Sequence, residues 1–237
     1  MTQPGTFRLS SGAHVAIVRF LDRAEAGTAL GRAMLAHRQP DALVLAIPRG
    51  GVVIGAHVAR FLGLELEVVA ACKVQVPARP ELSMGAVAEG GIRQVDLGLA
   101  GVLKVAPGEF RGAVRSAEEE VERRVRAYRQ GRPLLDLRGR AAFLVDDGIA
   151  RGVTMRAAAE AVRRLGPDRL IIAAPVASAF AADMLASLAD GIVTLVRPAV
   201  LRSVSEWYED FSPLADSDVL SWLEAGRRSA SGEHAVA

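Results

Sequence analysis

Two adjacent carboxylates, Asp146 and Asp147, end the apolar run Ala141 to Val145 and precede a glycine-punctuated turn that closes on Thr154. Paired carboxylates at a strand end have three readings. They bind Mg2+, hold vicinal hydroxyls, or cap the following turn. Residues Ala150, Arg151, Gly152, Val153 and Thr154 open a helical pattern that runs from Met155 to Leu165. The first N–H groups of a helix have no partner inside it and face outward as donors for an anion. Gly152 permits close backbone approach, and Arg151 and Thr154 add donors suited to phosphate.

A second constellation of the same kind is Ile47-Pro48-Arg49-Gly50-Gly51. It follows an apolar run, Ala42 to Ile47, and opens another helical pattern. Gly50 and Gly51 let the backbone fold around an anion, and Arg49 adds a charged fork. Alone, this is equally a tight strand-to-helix turn with an exposed arginine. Ligands of open α/β sheets bind at the carboxyl edge of the strands, so two such loops on one edge suit a substrate with phosphate at both ends.

These loops need a sheet to carry them. Strand-like runs alternate with helical patterns: Ala42–Ile47, Glu65–Cys72, Ala141–Val145, Leu170–Val176 and Gly191–Val196. Continuous β-branched runs fit strands covered on both faces, which predicts an α/β fold around a mostly parallel five-stranded sheet flanked by helices. Asp22 caps a first helix with the stripe Ala26, Leu30, Ala33 and Met34. From Lys73 to Gln94 the chain is rich in Pro, Gly and polar residues, which predicts a loop or a loose two-stranded excursion. From Glu109 to Gln130 lies a charged helix with the stripe Val114, Ala117, Val121, Val125 and Tyr128. Glu119–Arg123, Glu120–Arg124 and Glu122–Arg126 are its i,i+4 pairs, read as a solvated face.

Composition limits the classes available. The chain has 237 residues, 51% hydrophobic and 24% charged, with a formal net charge of +2. That suits one ordinary globular domain and does not call for nucleic acid. The single cysteine, Cys72, rules out an internal disulfide framework and a Cys-rich metal site. No apolar run approaches the roughly 20 residues that span a bilayer. The start is not a signal-peptide pattern, so the expected setting is cytoplasmic. Among the four histidines, His57 lies in the helix after Gly51 and reads as structural.

The stretch from Leu144 to Met155, Leu-Val-Asp-Asp-Gly-Ile-Ala-Arg-Gly-Val-Thr-Met, resembles the 5-phosphoribosyl 1-pyrophosphate (PRPP) signature of type I phosphoribosyltransferases. The resemblance covers Phe20 to Leu223. It extends to a branch with the Phe-x-Asp-Arg-x-x-Ala-Gly opening at Phe20–Gly27, the Pro-Arg-Gly-Gly turn, the Pro-Glu-Leu and Gly-Ala-Val-Ala-Glu-Gly-Gly segments, and the late Trp-Tyr-x-Asp-Phe.

The resemblance implies the type I fold, with a mobile loop over 74–89 and a small C-terminal hood at about 197–225. An N-terminal extension over 1–19 and a flexible tail over 226–237 flank the domain. It implies that Asp146 and Asp147 hold the ribose hydroxyls and Mg2+, directly or through water. Ala150, Arg151, Gly152, Val153 and Thr154 would cradle the 5′-phosphate; Arg49, Gly50, Gly51 and Lys73 would serve the pyrophosphate. Trp207 to Phe211 fall in the hood. Trp207 and Tyr208 are either a stacking wall for an acceptor ring or an aromatic clip, and with Pro175 and Val176 they are the candidate acceptor pocket. The implied activity is Mg2+-dependent transfer of phosphoribosyl from PRPP to a nitrogenous base. The implied partners are these small molecules, with neither nucleic acid nor membrane, in a homodimer. Arg151 stands where the signature has Thr. Ala150 stands where purine enzymes carry a carboxylate base, so the acceptor is expected not to be hypoxanthine or guanine. A PRPP- or nucleotide-binding regulatory protein that retains the fold is the alternative.

Overall fold

The computed structural model describes residues 19–133 and 136–232. Five parallel strands form the central sheet in the order β2-β1-β6-β7-β8. They are β1 (Leu43–Ala46), β2 (Glu65–Val68), β6 (Ala141–Val145), β7 (Arg169–Val176) and β8 (Gly191–Val196). Side chains on a strand alternate between faces, and both faces here are covered. Val44, Ala46, Phe143, Val145, Ile171 and Ala173 pack beneath α1 (Arg23–Ala33), α2 (Gly50–Leu62) and α7 (Asp216–Gly232). Leu43, Leu45, Ala142, Leu144, Leu170 and Ile172 pack beneath α5 (Val153–Arg164) and α6 (Ala179–Leu185). This double burial is why the strands read as unbroken apolar runs. β1 and β6 are paired neighbours, so Ile47 and Asp146, which follow them, emerge at the same sheet edge.

The run Glu65–Cys72 is not one strand. It divides after Val68, and a second sheet starts at Ala71. That antiparallel sheet has β3 (Ala71–Val76), β4 (Arg79–Ala88) and β5 (Ile92–Val95) in sequential order. The expected mobile loop over 74–89 is therefore strand for most of its length. Burial explains it: β3 alternates, with Val74 and Val76 inside, and β4 is buried on both faces from Met84 to Ala88, with Met84 and Val87 against Ala117 and Val121. The flanking Pro, Gly and polar residues obscured that period. Short α3 (Leu97–Val102) leads into α4 (Pro107–Arg129), whose stripe covers this small sheet.

The C-terminal helix also differs from expectation. It continues to Gly232, beyond the boundary expected at 225. Gly226 approaches Leu66 so closely that an added Cβ would sit 3.4 Å from its side chain, so the helix packs on β2 at that position. The N-terminal extension lies outside the described residues except for Arg19, as does the tail beyond 232.

Asp22 caps α1, its Oδ1 accepting from Glu25 N–H at 2.8 Å. Ala26, Leu30 and Met34 are buried as the stripe predicts, whereas Ala33 is exposed. α1 lies close against α2 through glycines: a Cβ on Gly27 would lie 2.8 Å from His57 Cβ and 3.0 Å from the Ile54 carbonyl. Gly27→Val should therefore lower unfolding free energy by about 1–3 kcal/mol, read as a lower urea midpoint, because this overpacks a closed contact.

His57 joins α1, α2 and α7. Its ring is 5.3 Å from that of Trp222, and its Nδ1 lies 3.2 Å from Thr28 Oγ1 and 2.8 Å from an Arg60 nitrogen. Burial, then the Arg60 charge, lowers its pKa below the usual imidazole value of 6.5. The folded state thus favours the neutral ring. That stabilisation is present above pH 6.5 and is lost as pH falls through the lowered folded value. Thermal denaturation of the wild type and His57→Gln between pH 8 and pH 5 checks this: the gap in their stabilities should narrow on acidification.

Candidate functional site

The carboxylate pair sits where β6 leaves the sheet. Asp147 N–H donates to Asp146 Oδ1 at 2.8 Å, so the first carboxylate closes the turn made by the second residue. The Asp147 side chain is only 15% exposed, and Arg23 Nε donates to its Oδ2 at 2.9 Å. Burial, followed by the charge of Asp147, pushes the Asp146 carboxyl well above the ordinary carboxylate range, with Lys73 opposing the rise. Asp147 is likewise raised by burial, and Arg23 opposes it most strongly. Two desolvated neighbouring anions repel, so the site favours a cation or a hydrogen-bond donor between them.

Arg23 is held against Asp147 by two further contacts. Its guanidinium carbon lies 3.7 Å above the centre of the Phe211 ring, and Nη1 donates to the Ser212 carbonyl at 3.0 Å. The segments carrying Arg23 and Phe211 are paired with each other: Phe20 N–H donates to the Trp207 carbonyl at 2.9 Å, and Glu209 N–H to the Phe20 carbonyl at 2.8 Å. Tyr208 completes the unit by donating its hydroxyl to the Asp147 carbonyl at 2.6 Å. The opening and closing motifs thus form one structure, built against the acidic turn.

The Pro-Arg-Gly-Gly turn enters the same site from β1. The Pro48–Arg49 peptide is cis. Gly50 faces the carboxylates so closely that a Cβ there would fall 1.8 Å from Asp147 Oδ2. Arg49 Nη1 donates to the Leu214 carbonyl at 2.9 Å, and its Nε lies 3.2 Å from Asp216 Oδ1. Gly152 caps the start of α5 with φ +76, a left-handed conformation that favours glycine; a Cβ there would meet the flexible end of Met184 at 2.6 Å.

Two cavities meet at the pair. One, about 800 Å3, has Arg49, Gly50, Lys73, Glu120 and Arg124 among its walls. The other, about 600 Å3, runs along Gly148 to Met155 and beneath Leu201–Ser205 and Phe211. Lys73, Asp146, Asp147 and Thr154 line both, joining them into one trough. Gly51 lies beside it, against the Asp146 backbone. The loop Ala150, Arg151, Gly152, Val153 and Thr154 lines the second cavity, where the free N–H groups of α5 begin.

The four acceptor candidates are elsewhere. Pro175 and Val176 are buried within β7, and Val176 is paired with Val196. Tyr208 is 3% exposed between Phe20 and Phe211, and Trp207 packs on the core, so both act as an aromatic clip. The hood wall that faces the trough is formed by Leu201, Arg202, Ser203, Val204, Ser205 and Phe211 instead. Val204 Cγ1 lies 2.4 Å from where a Gly148 Cβ would stand, so the hood rests directly on the acidic turn.

The donor set fits magnesium in one way. Among the described residues no cluster of three or more His, Cys, Asp or Glu side chains is arranged to hold a metal. Two carboxylates at a phosphate-suited loop are what Mg2+ takes when substrate oxygens complete its shell.

Residues 24–188 match the family model described as the phosphoribosyl transferase domain. The chain belongs to this phosphoribosyl transferase domain family. It is 33% identical over 209 residues to Mycobacterium tuberculosis proteins of strains H37Rv and CDC 1551, each described as a "Putative phosphoribosyl transferase". That match covers 88% of the chain and 47% of each relative, so the chain spans about half their length. The crystal structure of TT1426 from Thermus thermophilus is similar at 37% identity with a TM-score of 0.69, covering 86% of this chain and 97% of that one.

For this phosphoribosyl transferase domain, Arg23 is the site residue that pattern reading left without a role. Its place in the opening motif was visible, but its contact with Asp147 spans 124 residues of sequence. Gly50→Ala should displace the Arg23–Asp147 pair and lower unfolding free energy by about 1–3 kcal/mol in urea titration. Unchanged stability would mean the turn yields freely.

Proposed function

We propose that this domain transfers the phosphoribosyl group of PRPP to a nitrogenous base and releases pyrophosphate. The observation that carries the reading is the single trough that joins two anion-suited loops across a carboxylate pair. PRPP has that layout: a 5′-phosphate, ribose hydroxyls, and a pyrophosphate at C1.

In this reading the N-terminal amides of α5, with Arg151 and Thr154, hold the 5′-phosphate. Asp146 and Asp147 accept the ribose 2′- and 3′-hydroxyls and share Mg2+ with the substrate, directly or through water. Arg49, Lys73 and the amides of Gly50 and Gly51 face the pyrophosphate. The C1–O bond to pyrophosphate breaks as a C1–N bond to the base forms, and the proton displaced from the base nitrogen passes to water. Negative charge gathers on the leaving oxygens, where fixed cations stabilise it more in the transition state than before it. Magnesium, when bound with PRPP, adds charge neutralisation at those oxygens. The hood wall at Leu201–Ser205 would then face the base. With Ala150 in place of a carboxylate base, the acceptor is proposed to be other than hypoxanthine or guanine, and the working form a homodimer in the cytoplasm.

Calorimetric titration tests this directly. PRPP with Mg2+ should bind the wild type, and Asp146→Asn combined with Asp147→Asn should weaken binding at least about tenfold while the circular dichroism spectrum is retained. Pyrophosphate release across a panel of bases then reads turnover. No PRPP binding at millimolar concentration would remove the proposal, and binding without turnover for any base would leave a PRPP-binding regulatory protein.

A further inference from the structure

The charged face of α4 reads from sequence as a solvated row of ion pairs, but part of it forms a wall of the larger cavity. Arg124 is 17% exposed and lines that cavity beside Lys73 and Arg49. Its Nη1 points at two carbonyls, Pro48 at 3.3 Å and Ala71 at 3.4 Å. Pro48 immediately precedes Arg49, and Ala71 stands two residues before Lys73. One guanidinium therefore spans the two chain segments that present the cavity's other cations.

Arg124 is itself anchored. Glu120 Oε1 accepts from its Nε at 2.7 Å. The same carboxylate takes two bonds from Arg123, at 2.6 and 2.9 Å, instead of leaving Arg123 to pair with Glu119. Hydrogen bonding from Arg123, then from Arg124, holds the Glu120 carboxyl down at about 2. Arg123 Nη1 reaches on to Asp216 Oδ2 at 2.6 Å, and Asp216 meets Arg49. Tyr128 adds its hydroxyl to Asp216 Oδ1 at 2.6 Å. The chain of contacts returns to the Pro-Arg-Gly-Gly turn by a second route.

We propose that Arg124, anchored by Glu120, is a positioning residue for the pyrophosphate half of the site, fixing the segments that carry Arg49 and Lys73. Resting on the PRPP reading, the proposal adds a role for α4 in holding a diphosphate. A flexible pair of loops would have to be ordered by the ligand, at a cost in affinity; a preset pair would not. The 5′-phosphate loop is carried by α5, and Arg124 makes no hydrogen bond to it.

Three probes separate a local role from a general one: PRPP, inorganic pyrophosphate and ribose 5-phosphate, each titrated with Mg2+ present. In Arg124→Met, affinity for PRPP and pyrophosphate should fall about tenfold, while ribose 5-phosphate affinity stays unchanged. Glu120→Gln, which keeps the arginine but loosens it, should move the same two ligands in the same direction, and it serves where Arg124→Met does not fold. PRPP affinity within twofold of wild type in a folded variant overturns the proposal, as does an equal loss for ribose 5-phosphate. Failure of the wild type itself to bind PRPP is a different result: it removes the underlying reading.

Discussion

The structure depends on keeping two neighbouring carboxylates largely out of water at the end of its central strand. Left alone, such a pair is costly, because each charge is poorly solvated and repelled by the other. Asp147 has Arg23 as its counter-ion, and Arg23 is in turn pinned by Phe211 and the Ser212 carbonyl. That requirement accounts for features far apart in sequence. Phe20 and Tyr208 pair to bring the two ends of the domain together at the acidic turn. Gly50 leaves the space that the Asp147 carboxylate occupies. A site this tightly supported is preset, with its charges aimed before any ligand arrives.

Around the pair, the parallel sheet does the placing. β1 and β6 are neighbours, so their following turns lie side by side even though about 100 residues separate them (Ile47 and Asp146). Pairing of β1 with β2 and the short step into β3 bring Lys73 to the same trough. Helix α4 then closes the far side, with its apolar stripe on the small sheet and its Glu120–Arg124 pair on the cavity. One helix thus serves packing on one face and electrostatics on the other, the ordinary division of an amphipathic helix turned inward.

Much of this was legible because the signals were local. The five strands of the central sheet were readable as apolar runs, and Asp22 was readable as a cap. Each loop alone also suited a tight or capped turn; two of them at the ends of apolar runs, with glycine, arginine and paired aspartates, stood out together. What escaped was long-range. The Lys73–Gln94 stretch interrupts its apolar residues with Pro, Gly and polar residues, and only β3 alternates, so its strands read as loop. Trp207 and Tyr208 suited a ring platform and an aromatic clip equally by type; Phe20 and the Asp147 carbonyl claim Tyr208, contacts that no spacing reveals. Arg123 had a helical partner available at Glu119 but bonds Glu120 and Asp216, because the start of α7 lies beside α4.

In the proposed reading, two separate loops hold the two ends of one PRPP molecule. Phosphorus NMR of PRPP titrated with the protein and Mg2+ tests it most directly, because the 5′-phosphate and the two pyrophosphate phosphorus atoms are observed separately. All three resonances should shift or broaden together, with one common dissociation constant. Perturbation of one end alone, with the other remaining at its free position at saturation, would contradict it.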